Sequence, residues 1–298
     1  MWFKNLHLYR LPKPWNITAA ELEAQLDRHA LQACGASDAQ STGWVPPRTG
    51  APLLHSVNRQ HLLALGIEQK LLPTSVVKQF ADDRAREIAD AEGRKVGRKE
   101  MREIREEMRL QLLPRAFVRR RTTWGWIDPV NGWLAVDAGA AGKAEEFVEQ
   151  LRKSLDKLPA KPLRVVRSPS AAMTGWLADG DAPAGFTLDQ DLELRSPEQA
   201  RVRYVKHALE GAEIRQHIAG GKTATKLAMT WNDRISFVLT EDLQLKRLAF
   251  LDLLKEESEQ QSDDADERFD LDFALMSGEV ARLLDDLVEA LGGEVAAD

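Results

Sequence analysis

Three carboxylates alternate along one predicted strand in the C-terminal half of the chain. In the segment TLDQDLEL, Asp189, Asp191 and Glu193 are each two residues apart, a spacing that places them on one face of a strand. Such a group could hold Mg²⁺ for two-metal nuclease chemistry. A solvent-facing strand with its leucines turned inward gives the same pattern without any catalytic role. The pattern therefore leaves a metal-dependent nuclease open but favours an ordinary amphipathic strand.

Other motifs that carry known chemistry are incomplete in this chain. GGKT at 220–223 resembles part of a phosphate-binding loop, but that loop needs a glycine where Gln216 stands and a strand that leads into it. The six histidines show no HExxH spacing, and Cys34 has no CxxC partner. No GxSxG nucleophile elbow occurs. We therefore expect no metal, no cofactor and no enzymatic activity.

The densest charge in the chain is basic. Residues 94–121 contain eleven basic and four acidic residues, a local charge of +7 in a protein whose net charge is −6. The basic residues are Arg94, Lys95, Arg98, Lys99, Arg102, Arg105, Arg109, Arg115, Arg119, Arg120 and Arg121. A concentrated positive face on an acidic protein usually meets an anionic partner.

The first part of this basic segment has the periodicity of a three-sided helix. At about 100° per residue, a basic stripe lies beside an apolar stripe, and glutamates occupy the remaining surface. The basic stripe is Lys95, Arg98, Arg102, Arg105 and Arg109, and the apolar stripe is Met101, Ile104, Met108 and Leu112. Arginine forks suit phosphate, and such contacts give salt-dependent affinity without sequence preference. The alternative is a solvated helix held by i,i+4 ion pairs, although that arrangement should mix the two signs around the helix.

Three arginines at 119–121 precede a tryptophan-rich hairpin. Aromatic rings beside arginines can form a stacking platform for single-stranded bases. The other interpretation, which we favour, is that Trp124, Trp126 and Trp133 pack within a sheet, because Trp124 and Trp126 share one strand face.

The periodicities along the chain predict an α+β fold with antiparallel strand meanders beside long helices. Strands are expected at 2–10, 61–69, 123–128, 133–137, 186–194, 200–205, 226–231, 234–240 and 245–250. Helices are expected at 18–33, from Pro73 onward, at 140–158, 213–219 and 275–291. Asn131-Gly132 should supply positive φ angles to a hairpin turn. Residues 43–47 read as a turn-rich connection, and the acidic stretch 252–272 as a mobile loop or helix edge.

A chain of 298 residues is near the length at which one core stops growing, so several subregions are expected. We divide it into an N-terminal α+β region at 1–75, a basic helical region at 76–121, a hairpin-helix region at 122–165 and a C-terminal α+β region at 166–298. Residues 159–185 are rich in Pro, Gly, Ser and Ala, the composition of a boundary.

The sequence favours a cytoplasmic location. Cys34 is the only cysteine, which fits a reducing compartment. The N-terminal residues lack the apolar stretch and cleavage site of a signal peptide. No run of about 18 apolar residues suitable for a membrane span occurs, so we expect no membrane association.

Several short segments, in order along the whole chain, resemble the recombination-associated protein RdgC family. They are WFKNL at 2–6, GWVPP at 43–47, LLP..V.KQ at 71–79, LLPRAF at 112–117, WID.VNG...VD at 126–137, LRKSL..LP..PL at 151–163, TKLA..W..RI.FV at 225–238 and RFD.DF.LM.GE from 268. The resemblance implies a non-enzymatic, nucleoid-associated protein of the bacterial cytoplasm that forms a homodimeric ring around duplex DNA. It also implies little sequence preference and a role in limiting RecA's access to DNA, which affects recombination and replication.

The resemblance also indicates residues for the subunit interface. In the matching LLPRAF, Arg115 and Phe117 would lie at or near that interface, with Phe117 as the apolar anchor. Lys206 aligns with a lysine near the ring closure. The next residue here is His207, a departure that puts a polar contact of that interface in doubt.

The leading hypothesis is a ring-forming homodimer that binds duplex DNA through phosphate charge, with single-stranded DNA left open. The residues expected at DNA are Lys95, Arg98, Arg102, Arg105, Arg109, Arg119, Arg120, Lys206, Lys222 and Lys226, with Lys246 and Arg247 in support. A second hypothesis is a direct protein–protein regulator of the recombinase, for which DNA binding is incidental. The third is the nuclease that the three carboxylates leave open.

Overall fold

A single antiparallel sheet of 12 strands runs through the computed structural model, which describes residues 2–251 and 264–295. The strands are β1 Leu6–Arg10, β2 Gln40–Val45, β3 Leu54–Val57, β4 Gln60–Leu71, β5 Phe117–Asp128, β6 Trp133–Asp137, β7 Lys161–Pro162, β8 Phe186–Arg195, β9 Arg201–Tyr204, β10 Thr223–Trp231, β11 Ile235–Thr240 and β12 Leu245–Phe250. Their order is β2-β4-β5-β6-β1-β12-β11-β10-β8-β9, with β3 beside β4 and β7 beside β1. The α+β class with antiparallel strands is confirmed.

Seven α-helices accompany the sheet in this part of the chain. They are α1 Ala19–Asp27, α2 Thr74–Glu92, α3 Arg98–Leu112, α4 Ala141–Ser154, α5 Pro169–Asp179, α6 Ala212–Ala219 and α7 Ala265–Ala290. None of the helices within 2–251 and 264–295 is long and apolar enough to cross a membrane.

Two apolar cores lie on opposite faces of the sheet. One core joins the strands of the N-terminal half to α1 and α4, where the rings of Trp44 and Phe147 meet edge to face at 5.2 Å. The other core packs the opposite face of the sheet against α5, α6 and α7. Close packing explains why residue 125 is a glycine, because a Cβ at this position would lie 2.1 Å from the Phe147 ring.

A helical hairpin stands at one end of the sheet. The chain leaves β4, forms α2 and α3, and returns as β5, which pairs with β4 along its length. Ala81 and Ala85 of α2 pack against Ile104 and Met108 of α3 in a small separate core. We call this end, α2 and α3 with the adjoining ends of β4 and β5 (residues 70–118), the tip.

The N-terminal helix is shorter than the sequence predicts. The capping box of Thr18 and Glu21 is confirmed, with Glu21 N donating to Thr18 Oγ1 at 3.2 Å. The helix ends at Asp27 rather than near residue 33, because the chain turns there to bridge Ala30 to Trp44. The prediction of a turn-rich connection at 43–47 is therefore wrong, since residues 43–45 belong to β2.

Other boundaries differ further along the chain. The strand expected at 123–128 begins already at Phe117, so the three arginines lie on a strand. Residues 159–185 are not merely a boundary, since they contain α5. At the hairpin turn Gly132 has a positive φ of 71° but Asn131 does not. The last helix begins at Ala265, which lies within the acidic stretch at 252–272. Residues 252–263 of that stretch lie outside the described residues.

Candidate nucleic-acid interface

Helix α3 presents an arginine side to solvent. Its N-terminus is closed by the Glu100 side chain, which accepts from Gly97 N at 3.4 Å. Ile104 and Met108 are buried against α2, whereas Met101 and Leu112 are half-buried. This anchoring leaves the predicted basic side exposed: Arg98, Arg102, Arg105 and Arg109. The three-sided helix is confirmed, although Lys95 precedes it.

Ion pairs neutralise only part of this basic side. Arg109 forms a salt bridge with Glu106 at 2.8 Å, and this contact lowers the pKa of Glu106. No salt bridge joins Arg98, Arg102 or Arg105 to another described residue. The alternative of a helix held by ion pairs therefore applies to Arg109, and three arginines of the stripe keep uncompensated charge.

Arg119 and Arg120 lie on opposite faces of β5. Arg119 donates to Gln69 Oε1 at 3.2 Å, and Arg120 Nε donates to Glu68 Oε1 at 2.6 Å, both across the β4–β5 pairing. Glu68 is buried, and hydrogen bonds from Cys34 N and then Arg120 lower its pKa. Glu68 is a buried counter-charge that sequence reasoning missed, because its position opposite Arg120 depends on the register of β4 with β5.

The tryptophans beside these arginines belong mainly to the protein interior. Trp126 and Trp133 are fully buried, and Trp126 Nε1 donates to Gln60 Oε1 at 2.8 Å. Trp124 is half-buried against the same core. The interpretation of Trp126 or Trp133 as part of a stacking platform is therefore wrong, and the interpretation that both pack within the protein is confirmed.

The tip carries the residues that the resemblance indicates for dimerisation. Arg115 is exposed, and the Phe117 side chain is 85% exposed at the start of β5, opposite Leu71 of β4. Leu71, Leu110 and Val118 are also exposed apolar side chains of the tip. A cavity of about 680 Å³ opens at the tip, lined by apolar groups that include Leu72, Val77 and Leu113 and by the cations Lys70, Lys78, Arg105 and Arg109.

The other predicted basic residues lie in the C-terminal half. Lys206 occupies a turn after β9 with a φ of 51°, and its backbone N donates to Asp191 Oδ1 at 3.0 Å. His207 is exposed, with Nε2 at 3.8 Å from Glu213. Lys222 Nζ contacts His217 Nδ1 at 3.2 Å. Lys226 forms a salt bridge of 2.9 Å with Glu193.

Each of the three alternating carboxylates is engaged by a neighbouring protein group. Asp189 accepts from Thr230 Oγ1 at 2.9 Å, although burial raises its pKa. Asp191 accepts from Arg247 at 3.3 Å, and Glu193 accepts from Lys226. Across the described residues, no three His, Cys, Asp or Glu side chains form a group that could hold a metal ion. Gly220 and Gly221 end α6 and precede β10, which confirms that GGKT is a helix terminus.

The predicted residues therefore form two separate basic regions within one chain. One region is the tip with β5, and the other surrounds β8, β10 and β12. The sheet order places six strand spacings between β5 and β8, about 29 Å along the sheet. The structure thus brings Lys206, Lys226 and Arg247 together through Asp191 and Glu193, and keeps them apart from the α3 arginines.

Comparison with known proteins gives one consistent family. The family model described as "RdgC: Putative exonuclease, RdgC" matches residues 1–294. The chain is 55% identical over 298 residues to "Recombination-associated protein RdgC" of Herminiimonas arsenicoxydans, covering 99% of each chain. It is similar to the proteins of the same name from Janthinobacterium sp. (strain Marseille), at 54% over 297 residues, and Dechloromonas aromatica (strain RCB), at 54% over 300, again with 99% of each chain covered.

Proposed function

Because the chain belongs to the RdgC family of recombination-associated proteins, we propose that it is a DNA-binding protein without sequence preference. It forms a homodimeric ring around duplex DNA, limits the access of RecA, and so modulates recombination and replication at the nucleoid. The observation that carries this proposal is the arginine side of α3. Arg98, Arg102 and Arg105 are exposed and free of salt bridges to other described residues, which is the condition for contacts with phosphate.

The apolar surface of the tip supports self-association. Phe117 is 85% exposed, and burial of such a side chain requires another surface. In a twofold-symmetric contact the same patch of both chains meets itself. The cavity of about 680 Å³ at the tip is then available to Phe117 of the other protomer, with Arg115 beside it.

A ring needs a second, separate contact between the two chains. Lys206 and His207 lie in the turn after β9, at the end of the sheet order opposite to the tip strands. Val205 in the same turn is 54% exposed. These features suit a smaller and more polar contact, at which the ring could open while the contact at the tip stays closed.

We propose no catalytic role, although the description of the family model favours a nuclease as a second candidate. The carboxylates in question are each bonded to a threonine, an arginine or a lysine of the same sheet. Incubation of supercoiled plasmid with the protein and Mg²⁺ separates the two candidates. We expect no nicking, whereas nicking that is lost in Asp191→Asn would establish the nuclease.

The test of DNA binding is a charge reversal on α3. In the triple variant Arg98→Glu, Arg102→Glu and Arg105→Glu, the slope of log affinity against log salt should become shallower by about 3 for each protomer on the duplex. Lys99→Glu, an exposed change on another side of α3, is the matched control for single reversals such as Arg102→Glu.

The same variant distinguishes DNA coating from direct regulation of the recombinase. DNA coating predicts that inhibition of RecA filament assembly falls together with DNA affinity. If inhibition persists when DNA binding is lost, the protein acts on the recombinase directly, and DNA binding is incidental.

A further inference from the structure

The cavity at the tip has a cationic wall as well as an apolar one. Its volume of about 680 Å³ lies within the usual range of a small-molecule site. The apolar wall is formed by Ala39, Leu72, Val77 and Leu113. The remaining lining consists of two hydroxyl residues, Thr74 and Ser75, and four cations, Lys70, Lys78, Arg105 and Arg109. No described carboxylate lines the cavity, so an anion that enters it meets positive charge without a competing negative one.

Lys70 is a buried cation that no described carboxylate balances. The residue is only 9% exposed, and its Nζ donates to the backbone oxygens of Gly35 and Ala36, each at 2.6 Å. It forms no salt bridge with another described residue. An ammonium group has three N–H donors, so one donor of Lys70 remains for the cavity that the residue lines. A buried charge without a counter-ion costs free energy, and an anion in the cavity reduces that cost.

Helix α2 begins at the edge of the same cavity. Its N-cap residue, Pro73, forms no side-chain capping hydrogen bond, and its first turn contains no acidic residue. The amides of Thr74 and Ser75 donate to no other described residue, as expected at the start of a helix. These amides lie at the positive end of a 19-residue helix, beside the hydroxyls of the same two residues. Phosphate groups bind such a set of donors at helix N-termini.

The other cations reach the cavity from α2 and α3. Lys78 follows Thr74 by four residues, so both lie on one side of α2. Neither Lys78 nor Arg105 forms a salt bridge with another described residue, whereas Glu106 compensates Arg109 at 2.8 Å. Lys70, Lys78 and Arg105 therefore leave three positive charges without a counter-ion among the described residues. This charge matches a polyphosphate group better than a single carboxylate.

We propose that the tip cavity binds a nucleoside polyphosphate. The polyphosphate group contacts Lys70, Lys78 and Arg105 and the first amides of α2. The base packs against the apolar wall, where Leu72, Val77 and Leu113 lie. Both parts of the ligand are required, because an inorganic anion leaves the apolar wall uncovered and an uncharged ring leaves the cations without a partner.

Occupation of the cavity has a consequence for the dimer, and this consequence rests on the proposed function. Under that proposal, the partner subunit's Phe117 enters the same cavity. A phenyl ring and a base cannot cover the same apolar wall at once, so the ligand competes with the contact at the tip. By linkage, the ligand weakens dimerisation by the factor by which dimerisation weakens ligand binding. The cavity thus makes closure of the ring sensitive to nucleotide concentration.

Calorimetric titration of the full chain with ATP tests the site directly. Adenosine and tripolyphosphate should each bind at least about tenfold more weakly than ATP, because each satisfies only one wall. Lys78→Gln removes one charged hydrogen-bond donor and should weaken ATP binding about tenfold. Lys99→Gln is the matched control, because Lys99 is an exposed lysine of α3 that does not line the cavity. Thermal melting verifies that both variants are folded.

Competition with the dimer contact is tested in the same protein. ATP should raise the dimer dissociation constant of the wild-type protein, measured by sedimentation equilibrium. Phe117→Ala should bind ATP more tightly than the wild-type protein does, because its cavity is free. If ATP binds but leaves the dimer dissociation constant unchanged, the competition is wrong.

The outcomes separate this proposal from the proposed function. Absence of ATP binding in both the wild-type protein and Phe117→Ala overturns the site, and so does equal ATP affinity in Lys78→Gln and Lys99→Gln. Either result leaves salt-dependent DNA binding, and with it the proposed function, intact. Equal affinity for tripolyphosphate and ATP overturns the assignment to a nucleotide. A wild-type protein that binds ATP but neither dimerises nor binds DNA overturns the proposed function and leaves the site.

Discussion

Replacement of Phe117 by alanine should separate the protomers without unfolding the chain. The side chain is 85% exposed in the single chain, so its loss leaves the free energy of unfolding nearly unchanged. Burial of a phenylalanine in an interface contributes about 2 kcal/mol, and a twofold-symmetric contact buries the residue of both chains. The dimer should therefore lose about 4 kcal/mol, which raises its dissociation constant about a thousandfold.

Sedimentation equilibrium over a wide concentration range measures this dissociation constant. Val166→Ala is the matched control, since Val166 is 66% exposed but lies beside Gly293, at the end of α7. Thermal melting of both variants verifies that the fold is retained. The reasoning about the tip is refuted if the Phe117 variant dimerises as tightly as the Val166 variant and the wild-type protein.

Two further predictions concern the stability of the fold. Gly125→Ala should lower the free energy of unfolding by about 3 kcal/mol, because its Cβ would lie 2.1 Å from the Phe147 ring; an unchanged urea midpoint contradicts this. Burial lowers the pKa of His61 below its ordinary value of 6.5. Below pH 6.5 the unfolded chain therefore binds a proton at this residue that the folded chain does not bind. The free energy of unfolding should consequently decrease as the pH falls below 6.5. His61 adds at most about 1.4 kcal/mol per pH unit to that decrease. His61→Gln should flatten the pH dependence of the free energy of unfolding, measured by urea unfolding. Equal pH dependence in the variant and the wild-type protein would exclude this contribution.

Local periodicity predicted those parts of the protein whose structure depends on neighbours in sequence. The three sides of α3 followed from a repeat of 3.6 residues, and the burial of Ile104 and Met108 agrees. The hairpin formed by the strands expected at 226–231 and 234–240 also followed from local pattern, and the two residues that join them, Asn232 and Asp233, have positive φ. Such features require only a few adjacent residues, so their sequence signals are strong.

Contacts between distant segments could not be predicted in the same way. Arg120 meets Glu68 across 52 residues, and their pairing depends on the register of β4 with β5. Helix α5 was missed because its small residues resemble a linker, although Ser168 caps it and Trp176 and Leu177 are buried within it. The neighbouring positions of Arg203, Glu193 and Lys226 required the strand order, because these residues come from three different strands.

Binding of duplex DNA through phosphate charge can be measured directly by titration of two duplexes of equal length and unrelated sequence. With three free arginines on α3 in each of two protomers, six phosphate contacts predict a slope of log affinity against log salt of about −5 or steeper. Affinity should then fall about a thousandfold or more between about 50 and 200 mM salt, equally for both sequences. A slope near zero, or a strong preference for one sequence, would contradict a ring that holds DNA by charge alone.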